Sequence, residues 1–363
     1  MKLALVHDHL NQIGGAERVL AAMHRAYPAS PLYTLVHDRR VVADFFGELP
    51  INTSFIQNMP WAQHHLRWYL AFMPAAVESF NLSSYDVILS SASAFAKGAI
   101  APASAVHICY CHTPTRYLWS DSHSYVSEVG GGPLIRKVLP FVLQQLRMWD
   151  YVAAQRVDHF IANSQFVAKR IKRYYNRDSQ VIYPPVDVRN YPAFPKLNYF
   201  VLVSRLRPYK KVDIAIRAFN RLNMPLVICG EGEERKALRA IAGPNIHFTG
   251  AVDERTKKRL LAGAIGFIHP QEEDLGISAI EAMAAGTPVI AYQSGGACET
   301  VRENETGAFF EEQTWQSLAD AVIRFRRQSF DYGRIRLWSQ QFSRERFQSE
   351  LTAFVTRAYE NRH

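Results

Sequence analysis

What most constrains this chain is a regular exchange of short apolar runs and amphipathic helices that stops at a cluster of prolines and then starts again. Residues 2–7, 86–89, 106–111, 159–162 and 180–183 are apolar runs of strand length. Such unbroken runs suit strands buried on both faces, as in a parallel sheet covered by helices. Between them, residues 14–27, 134–155 and 165–175 read as helices; Ala16, Val19, Leu20, Met23 and Tyr27 share one face of the first. Pro184, Pro185, Pro192 and Pro195 then end regular structure and mark a linker. Past them, strand-like runs return at 200–204, 226–229, 246–248, 266–268 and 289–291, with helical stretches between.

Strands alternating with helices predict an α/β chain, and the restart predicts two Rossmann-like domains facing a central cleft. The expected boundaries are 1–190 for the first domain, 191–345 for the second and 346–363 for a terminal helix. Phe347, Leu351, Phe354 and Val355 give that last helix an apolar face that must dock somewhere. The 363 residues are enough for two domains, and 48% hydrophobic with 21% charged residues excludes a disordered or fibrous chain. No apolar run reaches 18 residues, and the N-terminal run meets His7-Asp8 too early for a secretory leader. Cys109, Cys111, Cys229 and Cys298 lack disulfide-framework or zinc spacing, which fits a reducing, cytoplasmic setting. The formal charge of +9 favours an anionic partner: nucleic acid, a phosphate-bearing substrate or an acidic membrane.

Four segments carry candidate chemistry. After the run at 266–268 comes His269-Pro270-Gln271-Glu272-Glu273-Asp274-Leu275-Gly276-Ile277, leading through Glu281 to Gly286-Thr287-Pro288-Val289-Ile290. It places Glu273 in a loop at the carboxyl end of a strand, where open α/β sheets bind ligands. Gly276 allows close backbone approach, Ile277 opens a helix whose free N–H groups suit an anion, and Glu281 lies one turn inside. Two glutamates decorating a surface helix is the bland alternative. The second segment, Ser204-Arg205-Leu206-Arg207-Pro208-Tyr209-Lys210-Lys211, is either a phosphate grip or a solvated basic turn. The third, Asp8-His9-Leu10-Asn11-Gln12-Ile13-Gly14-Gly15, offers bare backbone before a helix, although a tight turn explains Gly14 and Gly15 equally well. The fourth is Cys109-Tyr110-Cys111-His112-Thr113-Pro114-Thr115-Arg116-Tyr117-Leu118-Trp119, with His112 at a strand end. His7-Asp8-His9 alternates faces and so is a poor metal site.

Together these segments resemble the retaining, family 4 glycosyltransferases (group 1 glycosyltransferases) of the GT-B fold. The match extends over nearly the whole chain through Ser90–Gly98, Ile161–Ser164 and Tyr183–Asp187 in addition. Lys211 departs from a common glycine without touching the charged pair. The resemblance implies that the terminal helix crosses back to the N-terminal, acceptor-binding domain, and that the C-terminal domain binds nucleotide sugar. It assigns Arg205 and Lys210 to the donor diphosphate, Glu273 to sugar hydroxyls, His112 to a position beside the sugar, and Glu281 to the ribose. Gly14, Gly15, Val252, Asp274, Leu275, Gly276 and Ile277 complete the donor site. Asn11 and Arg116 face the acceptor. No Asp-x-Asp triplet occurs, so no metal and no cofactor is expected. Departure of the diphosphate is the chemical difficulty, and electrostatic stabilisation of it is the largest lever.

Within the family the block at 109–119 resembles bacterial mannosyltransferases of polysaccharide and lipopolysaccharide assembly. That implies GDP-mannose as donor, with UDP-sugars second, and a lipid-linked saccharide acceptor at the inner face of the plasma membrane. The segment 59–74, rich in aromatics, His and Arg, and the basic residues Lys169, Arg170, Lys172 and Arg173 suit peripheral attachment to an anionic surface. The alternative for 59–74 is that Trp61, Leu66, Tyr69, Phe72 and Met73 pack into the core. A nucleotide-sugar epimerase or phosphorylase on the same fold is a rival reading. A nucleic-acid binder is another, but no recognised motif accompanies the charge.

Overall fold

The computed structural model describes residues 1–46, 49–122 and 133–362. The chain divides into two compact units: Met1–Pro185 with Phe347–His363, and Val186–Arg346. Each is built on one parallel sheet.

The first sheet contains β1 (Leu3–His7), β2 (Leu32–Thr34), β3 (Ile51–Thr53), β4 (Val87–Ala92), β5 (Val106–Cys111), β6 (His159–Ala162) and β7 (Ser179–Val181). Its order is β3-β2-β1-β4-β5-β6-β7. β1, β4 and β5 are buried along their whole length, as their unbroken apolar runs require. Alternate residues supply two cores. Ala4, Val6, Ile88, Cys109 and Phe160 point to one face; Leu5, Leu89, Ile108, Tyr110 and Ile161 point to the other. The second face is covered by Val19, Leu20 and Met23 of helix Gly15–Ala26 and by Phe347, Leu351 and Val355 of helix Arg344–Glu360. The apolar stripe of the last helix is thus consumed within the first unit. Tyr110 stacks edge-on to Phe347 at 5.8 Å.

The second sheet contains β8 (Phe200–Val203), β9 (Leu226–Cys229), β10 (Ile246–Gly250), β11 (Gly266–His269), β12 (Val289–Tyr292) and β13 (Gly307–Phe310), in the order β10-β9-β8-β11-β12-β13. Phe200, Leu202, Ile228, Ile268 and Ile290 pack against Ile216 and Phe219 of helix Val212–Leu222 and Leu318 and Val322 of helix Trp315–Phe325. At Gly230, where φ is +139°, an added Cβ would lie 1.9 Å from the Ser204 carbonyl oxygen, so only glycine lets these loops run against one another.

In each sheet chain order reverses direction at one point, between β1 and β4 and between β8 and β11. Ligands of open α/β sheets bind beyond the carboxyl ends of strands at such a switch point.

Buried polar groups tie the first sheet together. His107, fully buried on β5, holds Ser90 Oγ at 2.9 Å through Nε2. Burial pushes its pKa from 6.5 down to about 4. The native ring therefore stays neutral where an unfolded one gains a proton. Its contribution to stability is complete above about pH 6.5 and is lost as pH falls towards about 4. Urea midpoints for wild type should drop between about pH 7 and about pH 5, and the drop should be smaller in His107→Leu.

Candidate functional site

In the first unit the segment after β1 is fixed by one carboxylate. Asp8 Oδ2 accepts backbone N–H bonds from Ser93 (2.6 Å) and Ala94 (2.9 Å), and Oδ1 from Phe95 and Ala96 (both 2.7 Å). Burial works to raise the Asp8 pKa, but His7, His9 and these donors outweigh it and hold the carboxyl below its ordinary value. Asp8 thus locks the end of β1 to the turn after β4. Gly14 precedes helix Gly15–Ala26, and its N–H donates to Glu17 Oε2 at 2.7 Å. Glu17 also lies 3.8 Å from His7 Nε2. Burial opposes its charge, yet the His7 interaction pulls its pKa down to about 2.

His112 follows β5 directly. Its Nε2 meets Ser91 Oγ at 2.8 Å, and that hydroxyl lies 3.1 Å from His7 Nδ1. Asn163 Nδ2 donates to the His112 carbonyl at 2.8 Å. Burial, helped by the charge of His7, pushes the His112 pKa down to about 4. The imidazole is therefore neutral at physiological pH and can exchange hydrogen bonds without carrying charge. The structure links His112 to the Gly14 turn through hydrogen bonds to Ser91 and on to His7, a 3.8 Å His7–Glu17 contact, and the Gly14 N–H bond to Glu17. Asn11 is half-buried, and its Nδ2 reaches the Gln63 carbonyl at 3.4 Å. Arg116, also half-buried, begins the short helix Arg116–Leu118. That helix is anchored from below by Asp150, which accepts from Thr115 Oγ1 (2.7 Å) and Trp119 Nε1 (2.8 Å) and pairs with buried Lys97 at 2.5 Å.

In the second unit, Arg205 and Lys210 follow β8, and Glu273 follows β11, on the two strands that flank the switch point. Lys210 and Glu273 form an ion pair, and both side chains are mostly shielded. Arg205 is exposed. Glu273 Oε2 lies 3.8 Å from Nε2 of His269, the last residue of β11. The loop backbone is pinned by the Gly296 N–H, which donates to the Glu273 carbonyl at 2.8 Å. A Cβ on Gly296 would come within 2.3 Å of Leu275 Cα.

Gly276 caps helix Ile277–Ala284 with φ +88°, and Gly286 leaves it with φ +74°. Asp274 is half-buried; Leu275 and Gly276 are buried beside it. Glu281 is buried inside the helix and meets Lys257 Nζ at 2.9 Å; Lys257 also pairs with Glu254. Val252 stands half-buried just before helix Glu254–Gly263, which carries Lys257.

The first-unit candidates and the second-unit candidates thus occupy carboxyl-terminal strand ends, each group in its own unit. Sequence reasoning missed His7, Asp8, Glu17 and Ser91 as supports of His112, and Lys257 as partner of Glu281. Lys257 had no local signal, since 24 residues separate it from Glu281. For segment 59–74, Leu66, Leu70 and Met73 are buried, whereas Trp61, Trp68 and Phe72 are 69%, 67% and 52% exposed. The core alternative is therefore wrong for Trp61 and Phe72. Among the described residues, no helix is long and apolar enough to cross a membrane, and no group of three or more His, Cys, Asp or Glu side chains could hold a metal ion.

The chain is similar to known glycosyltransferases. Residues 13–190 match the family model "Glycosyltransferase Family 4", and 187–334 match "Glycosyl transferases group 1". A GDP-mannose-dependent alpha-(1-6)-phosphatidylinositol monomannoside mannosyltransferase of Mycobacterium tuberculosis is 37% identical over 142 residues, 34% of this chain and 36% of that one. A GDP-mannose-dependent monoacylated alpha-(1-6)-phosphatidylinositol monomannoside mannosyltransferase of Corynebacterium glutamicum is 31% identical over 219 residues, 51% of this chain and 56% of that one. The matched stretch therefore spans between about a third and just over half of these relatives' lengths. Among solved structures, Anabaena HepE in complex with UDP superposes with a TM-score of 0.75 at 20% identity, covering 98% of this chain and 100% of the other.

Proposed function

Because the chain belongs to the glycosyltransferases, a family 4 domain followed by a group 1 domain, we propose that it moves mannose from GDP-mannose to a lipid-linked saccharide with retention. The observation that carries the reading is the Lys210–Glu273 pair at the β8/β11 switch point. A cation for the diphosphate and a carboxylate for sugar hydroxyls stand side by side, where an open α/β sheet takes its ligand. Glu281, paired with Lys257, is one turn deeper and suits a ribose diol. Arg205, exposed on the same loop as Lys210, adds a second charge for the leaving group. The Ile277 helix N-terminus and the bare backbone at Gly276 offer further N–H donors. Both glutamates are spent on binding. The displacement proceeds on one face, with the departing phosphate accepting the proton of the acceptor hydroxyl. The proposed chemistry draws its positive charge from side chains and backbone, without a metal.

Support for GDP-mannose comes from the mycobacterial and corynebacterial relatives, both GDP-mannose-dependent mannosyltransferases. Support for a membrane-borne acceptor comes from the exposed Phe55, Trp61, Trp68 and Phe72 near exposed Arg67 in the chain. Aromatic and cationic side chains of this kind hold a protein at a bilayer interface without spanning it. The proposed site of action is the inner face of the plasma membrane.

One assay tests donor and acceptor together: sugar transfer measured with GDP-mannose or UDP-glucose, with and without lipid-linked saccharide in anionic vesicles. Transfer should need GDP-mannose and the lipid acceptor, and the protein should sediment with the vesicles at low salt. Preferential use of UDP-glucose would overturn the donor, and sugar isomerisation without an acceptor would overturn the reaction class.

A further inference from the structure

The Lys210–Glu273 pair poses a question of charge. If Lys210 turns to a diphosphate, Glu273 loses its cation while it must stay ionised and aimed at sugar hydroxyls. A carboxylate only accepts hydrogen bonds, so a second donor is required. His269 supplies one. Its side chain is 1% exposed, and its Nε2 has no hydrogen-bond partner among the described residues. The opposite nitrogen, Nδ1, lies 3.2 Å from Gln271 Nε2. With Nδ1 accepting from that amide, a neutral ring carries its proton on Nε2, which faces Glu273 Oε2 at 3.8 Å. The ring is neutral because burial, with the nearby charge of Lys210, pushes its pKa down to about 3. The space beyond Nε2 is kept clear: a Cβ on Gly276 would lie 3.1 Å from it. The Gly296 N–H holds the loop backbone in place, so closing the gap to Glu273 falls to side-chain rotation. Hydrogen bonds of this kind are often long in an unliganded site and tighten with substrate.

We propose that His269 is a positioning residue for Glu273: its Nε2–H takes one carboxylate oxygen when Lys210 moves to the donor diphosphate, leaving the other oxygen to the sugar. Gln271 sets the tautomer. The inference rests on the reading of this site as a nucleotide-sugar site. It adds that affinity for the sugar, and not for the diphosphate, passes through a histidine that touches neither.

Calorimetric titration with GDP and with GDP-mannose (or UDP and UDP-glucose, if wild type prefers those) separates the two contributions. His269→Leu should bind the free diphosphate within about twofold of wild type and the nucleotide sugar about tenfold more weakly, the scale of one hydrogen bond to a charged group. His269→Gln, which keeps an N–H donor, should recover most of that loss. If His269→Leu does not fold by circular dichroism, Gln271→Leu should show the same selective loss at smaller size. Equal weakening of both ligands, or no weakening of the nucleotide sugar, overturns the role of His269. Wild type that binds the free diphosphate but gains nothing from the sugar overturns it too. Wild type that binds none of the four ligands overturns the reading of the site itself.

Discussion

Asp150→Leu is expected to cost about 3–5 kcal/mol of folding stability, the usual penalty for leaving one buried charge without its partner. Lys97 and Asp150 are each 1% exposed and stand 2.5 Å apart. Burial on its own depresses the Lys97 pKa, but Asp150 more than offsets it, so the ammonium stays charged. Asp150 also accepts from Thr115 and Trp119, so its loss strands three donors. Lys97→Met should cost less, because Asp150 keeps those two bonds. The double variant should be less damaged than the sum of the singles, since each single removes the same attraction. Urea unfolding of the four proteins measures this. Additive losses would show that the pair contributes nothing as a pair. The cluster supports the 115–119 segment, and Arg116 lies in it, so the stability effect reaches one of the proposed acceptor residues.

Lys210→Ala is expected to lower turnover about 100- to 1,000-fold, or about 2.7–4 kcal/mol in the barrier, the scale set by removing one preorganised donor from an oxyanion site. The side chain is largely shielded, so water replaces its charge poorly. Arg205→Ala should act in the same direction by less, because Arg205 is exposed and its field is screened. Lys210→Arg should recover only part of the rate: a planar fork does not reproduce a compact point charge. Steady-state rates at saturating donor give the comparison. Wild-type turnover in Lys210→Ala would make Lys210 an ordinary partner of Glu273 and remove the diphosphate from this position.

The sequence by itself determined the long buried elements and the loops that leave them. The runs at 106–111 and 159–162 coincide with β5 and β6, and 165–175 with its helix, because an unbroken apolar strand or a long amphipathic helix writes its period into adjacent residues. The positions of Glu273, Arg205 and Lys210 on strand-end loops were legible for a related reason: each lies within a few residues of the end of a strand, and Gly276 and Glu281 belong to the start of the helix that follows. β2, β3 and β13 were not legible. β2 and β3 are three residues each and mix polar with apolar side chains, so no apolar run marks them and their place in the sheet comes from their neighbours, whereas β13 was missed although it is no shorter than β6.

Tertiary structure alone decided how the polar groups pair. Lys257 reaches Glu281 from 24 residues away, Asp8 reaches Ser93 across 85, and Lys97 in one segment meets Asp150 in another. Hydrogen bonds and ion pairs act over a few ångströms in space and carry no preferred separation along the chain, so no local pattern announces them. The same holds for Trp61 and Phe72. Their helical spacing with Leu66 and Met73 suggested a core, but only packing decides which side of a short, irregular helical segment turns inward. Here Leu66, Leu70 and Met73 take that side and leave Trp61, Trp68 and Phe72 to solvent, while Tyr69 packs partly against the core.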